Sequence, residues 1–184
     1  MNEFEVIPNE QTPAVQPIAD IKTFVDENLE VLQDFLEFAK QQRHAVGLAA
    51  NQCSVNGQRL MINVFALRNL KDNTWSLVIN PSIFNYIGMC EIKAEGCLTW
   101  KNKVVVAERY RAVSVSYYTL DNTCINEMHK GFEGQIWQHE VNHLRGIEER
   151  IEDDYQEKKI DIQRNDKCLC GSNKKYKNCC LLLI

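Results

Sequence analysis

Gln138-His139-Glu140-Val141-Asn142-His143 has the form His-Glu-x-x-His. Its two histidines are four residues apart, so on a helix they stand one turn above the other on a single face. Two neutral imidazoles on one face can grip a transition metal, and Glu140 between them can take a proton from a water on that metal. Ile136, Val141, Leu144 and Ile147 recur at helical spacing and Gly146 stops the run, which predicts a helix from about Phe132 to Arg145. Two histidines and a glutamate also occur on plain polar helix faces. A metal site therefore needs a third ligand from elsewhere in the chain.

That helix sits late in a chain of 184 residues, a length that suits one domain with a small appendage. Hydrophobic residues make up 45%, enough for a core, and the net charge of -4 gives no global pull toward nucleic acid or an anionic membrane. No apolar run is long enough to span a bilayer. The opening Met1-Asn2-Glu3-Phe4-Glu5 is acidic and lacks the basic-then-apolar layout of a signal peptide, so a cytoplasmic location is expected. Eight cysteines in a reducing compartment read as metal ligands, catalytic groups or buried small side chains rather than disulfides. Cys53, Cys90, Cys97 and Cys124 are scattered, with Cys53, Cys90 and Cys124 expected to be buried bystanders. Cys168, Cys170, Cys179 and Cys180 crowd the last residues.

Upstream of the helix, residues 1–19 hold three of the four prolines and no periodic pattern, which predicts extended chain on the surface. Asp20 is an N-cap, and Ile21, Phe24, Val25, Leu29, Leu32, Phe35, Leu36 and Ala39 follow at helical spacing. An amphipathic helix over about 20–42 is expected to cover a sheet. Gly47-Leu48-Ala49-Ala50-Asn51-Gln52 is built of small residues, so backbone can come close to something there; a tight packed turn is the plainer reading. Leu60–Phe65 and Trp75–Ile79 read as strands, the second interrupted by Asn80-Pro81. Val104–Ala107 is a short apolar strand, and Val113, Val115 and Tyr117 alternate with polar residues as a half-buried one. Past Gly146 the chain is densely charged and reads as a solvated helix or linker without a functional role. The arrangement is α+β: mostly antiparallel sheets around a buried His-Glu-x-x-His helix.

Three stretches in this order resemble the motifs of the peptide deformylase family: Gly47-Leu48-Ala49-Ala50-Asn51-Gln52, Glu95-Gly96-Cys97-Leu98-Thr99 and Gln138-His139-Glu140-Val141-Asn142-His143-Leu144. The resemblance spans roughly residues 40–150 and implies that family's fold. It also implies a metal ligand set of Cys97, His139 and His143, with Glu140 as general base and then general acid. The Gln52 side-chain amide and the Leu98 backbone N–H correspond to the donors that hold the developing oxyanion. Val46, Gly47, Ile136 and Trp137 are then candidates for binding substrate, and Glu95 for orienting a ligand from behind. The implied reaction is hydrolysis of the formyl group of an N-formylmethionyl nascent peptide, with a water activated by the metal attacking the formyl carbon and formate leaving. The family's usual metal is Fe2+, with Zn2+, Ni2+ or Co2+ able to substitute, and one thiolate with two imidazoles suits all four. The sequence departs from the family at Ala45, where Gly is common, at Asn142, where Asp is usual and could pair with a strand arginine such as Arg109, at Thr99 for Ser, and at Trp100-Lys101, where Pro commonly follows.

A metzincin-like zinc peptidase is the main alternative, because His139 to Gly146 fits His-Glu-x-x-His-x-x-Gly and Glu149 falls at the third-ligand position. No methionine follows His143 to make the turn those peptidases need. A second alternative is a catalytically inactive peptide-binding protein on the same fold.

The tail sets Cys168, Cys170, Cys179 and Cys180 in two close pairs around a short basic segment, a pattern that holds structural Zn2+ at a closed four-thiolate site. It resembles the SEC-C motif, which implies a partner-docking module. Residues 1–163 are thus expected to form the catalytic domain and 164–184 a zinc-binding tail that docks on the ribosome or another protein. No membrane partner is expected.

Overall fold

The computed structural model describes residues 2–153, 163–167 and 175–178. The chain runs through β1 (Phe4–Val6), α1 (Ile21–Gln41), β2 (Gly47–Ala49), a 3-10 turn (Ala50–Gln52), β3 (Cys53–Val55), β4 (Gln58–Arg59), β5 (Val64–Arg68), β6 (Trp75–Glu95), β7 (Val104–Tyr118), β8 (Cys124–Lys130), α2 (Gly131–Leu144) and β9 (Arg150–Glu152). A second 3-10 turn occupies Tyr176–Asn178. Strands β1, β3 and β4 form a small sheet. The larger one has the order β2-β5-β6-β7-β8, with β9 joined to β7. Every pairing among the described residues is antiparallel.

Two trios of residues explain why the large sheet is covered on both sides. Val64-Phe65-Ala66 on β5 and Leu77-Val78-Ile79 on β6 are all buried. Neighbouring side chains of a strand point to opposite faces, so both faces must be covered. On one face, Val25, Leu32, Phe35 and Ala39 of α1 cluster with Val64, Ala66, Leu77 and Ile79. On the other, Trp137, Val141 and Leu144 of α2 cluster with Phe65, Val78, Val113 and Val115. Asp20 caps α1 by accepting from the Thr23 backbone N–H at 3.1 Å.

Helix α2 also buries Gln138, His139, Glu140 and His143. Burying ionisable groups on a helix is unfavourable unless each finds a partner or a ligand. The end of α2 is held by the N-terminal segment. Val15 N–H donates to the Leu144 carbonyl at 2.9 Å, and the Thr12 hydroxyl donates to the His143 carbonyl at 2.9 Å. The Asn51 amide donates to that same carbonyl at 2.6 Å and to the Pro13 carbonyl at 2.8 Å. These bonds satisfy carbonyls that a helix end leaves open. Gly146 turns the chain away with φ 63°, and a Cβ there would lie 2.5 Å from the Ala14 nitrogen.

Several expectations are corrected. Residues 1–19 are not merely surface coil: Phe4–Val6 pairs with β3, and Thr12 is buried. Asn80-Pro81 does not end a strand. Asn80 takes φ 51°, the register shifts between Ile79 and Ser82, and β6 continues to Glu95. The Asn80 side chain anchors that bulge, accepting from Ile18 N–H at 2.8 Å and donating to the Ile18 carbonyl at 2.7 Å. Val104–Ala107 and Val113–Tyr117 belong to one strand, β7. Past Gly146, Arg150–Glu152 form β9, where a solvated helix or linker was expected; the rest of that charged stretch, residues 154–162, lies outside the described residues. Cys53 is buried as expected, but Cys90 is only half-buried and Cys124 is exposed. Cys168, Cys170, Cys179 and Cys180 lie outside the described residues. No helix among the described residues is long and apolar enough to cross a membrane.

Candidate metal centre

Three elements bring the site together. Helix α2 carries His139 and His143, the connection after β6 carries Cys97, and the 3-10 turn ends at Gln52. One donor atom from each of Cys97, His139, His143 and Glu149 lies within 4.8 Å of the others. Cys97 Sγ is 3.4 Å from His143 Nε2, and the two histidine Nε2 atoms are 3.1 Å apart. Donors around one tetrahedral metal with bonds of about 2.0–2.3 Å lie about 3.3–3.8 Å apart; the Cys97–His143 spacing falls in that range and the His139–His143 spacing just below it, so small shifts would let the set take a single transition-metal ion.

The ring atoms that face away from this cluster are held from behind. His139 Nδ1 is 2.7 Å from Glu95 Oε2, and Glu95 in turn accepts from Arg109 Nε at 2.9 Å and Nη2 at 2.6 Å. Asn142 completes the group. In the orientation that satisfies both halves of its amide, its oxygen accepts from Arg109 Nη1 at 3.0 Å and its nitrogen donates to the Gln138 carbonyl at 3.2 Å. A carboxylate behind a ligating histidine fixes the ring and raises its basicity. Burial would raise the Glu95 carboxyl, but hydrogen bonds to His139 and Arg109, with their charges, hold it below its ordinary range. Burial pulls His139 down, yet contacts with Cys97 and Glu95 and the charge of Glu140 push it well above the ordinary histidine value. His143 goes the other way: burial and the charges of His139 and Arg109 hold it well below that value, as a neutral imidazole.

A cavity of about 410 Å³ opens beside the cluster. Val46, Gly47, Gln52, Leu98, Ile136 and Glu140 line it together with Cys97 and His139. The Gln52 carbonyl oxygen accepts from Ala49 N–H at 2.9 Å, which leaves the amide nitrogen to point at Cys97 Sγ, 3.4 Å away, and at Thr99 Oγ1, 3.1 Å away. Glu140 is fully enclosed, and one of its oxygens, Oε2, has no hydrogen-bond partner among the described residues. Burial pushes its carboxyl up to about 7, with Glu149 and Glu95 adding to the rise and His139 opposing it. Gly47 is where backbone passes closest: a Cβ there would sit 2.5 Å from Glu140 Oε1.

The polypeptide deformylase family model matches residues 5–155. The chain belongs to this family. The deformylase is 28% identical over 135 residues to the peptide deformylase of Thermotoga petrophila, a match covering 73% of this chain and 78% of that relative. Its fold superposes on the crystal structure of the peptide deformylase from Thermotoga maritima with a TM-score of 0.64 at 25% identity, covering 78% and 92% of the two chains. A probable peptide deformylase from synechococcus phage S-SSM7 shares the fold at 18% identity, with a TM-score of 0.60 over 79% and 96% of the chains. The protein is a metal-dependent hydrolase, a deformylase. The SEC-C motif model matches residues 164–182.

Two placements differ from those expected of the deformylase. Trp137 does not line the cavity. It is fully buried on the sheet side of α2, edge-on to Phe65 with ring centroids 5.0 Å apart and close to Tyr117 and His129. Phe132, Gln135, Ile136, His139 and Glu140 share one arc of the helix, and residue 137 falls outside it, toward the sheet. Conversely, Phe132 and Gln135 line the cavity, one turn or less before Ile136, a position that helical spacing could have revealed. Glu149 was the larger omission. The peptidase alternative used Glu149 without Cys97, whereas both donors lie in the same cluster.

Proposed function

We propose that this deformylase removes the formyl group from N-formylmethionyl ends of nascent peptides and releases formate. The observation that carries the reading is the convergence of the Cys97, His139 and His143 donors beside Glu140 and Gln52 at the wall of one cavity.

Cys97, His139 and His143 would hold the metal, with Fe2+ as the ion we favour and Zn2+, Ni2+ or Co2+ able to take its place. When bound, the metal supplies Lewis acidity, which brings the pKa of a water from about 15.7 to about 7. Glu140 accepts the proton of the attacking water. A buried carboxyl near pH 7 is matched to that task and to returning the proton to the leaving amine. The Gln52 amide nitrogen and the Leu98 backbone N–H donate to the oxygen that gains charge at the formyl carbon; each such donor contributes about 2.7–4 kcal/mol in the transition state. Gly47 offers backbone to the peptide, and Val46 with Ile136 forms apolar wall for the methionine side chain. Glu95 keeps the His139 ring in place.

For the tail, we propose a structural Zn2+ held by Cys168, Cys170, Cys179 and Cys180, in a module over 164–184 that docks the enzyme on the ribosome. Its support is the cysteine spacing and the flanking chain, where Lys167 and Lys175 pair antiparallel and Lys177 N–H donates to the Arg164 carbonyl at 2.9 Å. Equal ribosome co-sedimentation by the full chain and a chain ending at Asp161 would remove that role.

The deciding assay is formate release from formyl-Met-Ala-Ser by anaerobically purified protein, with Glu140→Ala beside it. Release by the parent and a loss of about 10²-fold or more in the variant are expected. No release from protein with metal bound would overturn the proposed reaction.

A further inference from the structure

Glu149 is a buried acid in a stretch of charged surface chain. Its side chain is 5% exposed, and Oε1 lies 3.3 Å from His143 Nε2. That oxygen makes no hydrogen bond among the described residues. A buried carboxylate oxygen without a donor is unfavourable, and a cation is what it lacks.

The rest of Glu149 is fixed from three sides. Trp100 Nε1 donates to Oε2 at 2.8 Å. The Gln11 side-chain amide closes a pair of bonds on its backbone, accepting from Glu149 N–H at 3.1 Å and donating to its carbonyl at 2.9 Å. The Trp100 indole thus aims the carboxylate. The Glu149–His143 spacing matches the 3.4 Å of Cys97–His143 and the 3.1 Å of His139–His143. All four donors lie within 4.8 Å of one another, close enough for one ion to gather them.

We infer that Glu149 is a fourth protein ligand of the metal, aimed by Trp100 and seated by Gln11. This rests on the three-ligand site proposed above. Four protein ligands make a closed site and three an open one. Glu149 therefore occupies the position that substrate chemistry requires, holds the ion between turnovers, and must yield that position or share an expanded shell when substrate enters.

Cobalt(II) titration of the metal-free full chain tests this by absorption spectroscopy, with Glu149→Gln, Trp100→Phe and Cys97→Ser compared with the parent. The tail thiols contribute equally to all four, so difference spectra report on the site. Glutamine keeps the shape and an acceptor for Trp100, so the fold is expected to survive; far-ultraviolet dichroism checks it. Loss of a partner outside the coordination shell already weakens metal binding by about 10- to 100-fold. Glu149→Gln is expected to weaken it by at least about 10-fold and to shift the visible cobalt bands, with Trp100→Phe moving both in the same direction by less. Unchanged bands and affinity in Glu149→Gln, with the thiolate charge-transfer band intact there and diminished in Cys97→Ser, would overturn the fourth ligand and leave the three-ligand site standing. A charge-transfer band that survives Cys97→Ser undiminished would overturn the three-ligand site itself.

Discussion

At the scale of single residues, the site is governed by how little room there is. Gly47→Ala places a Cβ 2.5 Å from Glu140 Oε1 and 2.8 Å from its Cδ, so the carboxylate has to move. A shift of about 1 Å in a catalytic group can lower kcat about 10²-fold. That loss is expected in formate-release kinetics, with metal content unchanged because no metal donor moves. The proton state of His139 gives a second expectation. In the metal-free protein its pKa is raised above the ordinary 6.5, so protonated His139 stabilises the fold; that contribution is complete below about 6.5 and is lost as pH rises through the raised value. Metal needs the neutral ring, so binding expels that proton and affinity rises with pH over the same window. Calorimetry of metal binding in buffers of different ionisation heat should count the released protons, that of His139 together with any given up as Cys97 binds as its thiolate. His143, already neutral, adds none. The local part of this site was legible because His139, Glu140 and His143 share one helix and its period. Cys97 and Gln52 came from motif resemblance, since nothing in periodicity joins them. Glu149 was legible only as the third-ligand position of the peptidase alternative, from its spacing after His143; that it joins Cys97 in one cluster was not, because the helix ends at Leu144, Gly146 turns the chain, and Glu148 and Arg150 look like any solvated run.

At the scale of elements, the helices were easier to read than the strands. Helix α1 buries Val25, Leu32, Phe35 and Ala39 at helical spacing behind an Asp20 cap, and each of those signals is local. Strand β6 was divided in the sequence because Pro81 looks like a break, and β7 because its apolar pattern lapses between Ala107 and Val113. The chain absorbs Pro81 in a bulge, and Arg109 turns inward to Glu95. Charge on a strand therefore did not mean exposure: Arg109 is 4% exposed. The junction of α2 with the N-terminal segment is the most sensitive seam. Gly146→Ala imposes a side chain on left-handed backbone and drives it toward Ala14. The backbone term alone costs roughly 1–2 kcal/mol. At about 2–4 °C per kcal/mol for a protein of this size, Tm is expected to fall by several degrees in a thermal melt. The loss should be larger than for alanine at Gly96, where a Cβ meets nothing within 4 Å and φ is not positive.

At the scale of the whole molecule, two family matches occupy separate stretches, 5–155 and 164–182. A chain ending at Asp161 is expected to keep formate release while losing about one zinc per molecule, measured by elemental analysis. Loss of activity along with the zinc would mean that the tail supports the site. The α+β class was legible from the order of its helices and strands, whereas the seating of the first twenty residues against β3, the end of α2 and Glu149 was not, because such pairing leaves no mark in either segment alone. Gln11 and Glu149 are 138 residues apart, yet two hydrogen bonds join them. Closing so long a loop is slow, so these bonds are expected to form late in folding, after the sheet between their ends. The ion is then expected to enter a finished protein rather than to nucleate it. Its escape runs through the same door: detachment of the first segment loosens Glu149, and hydrogen exchange at the Val15 and Glu149 amides should keep time with metal loss.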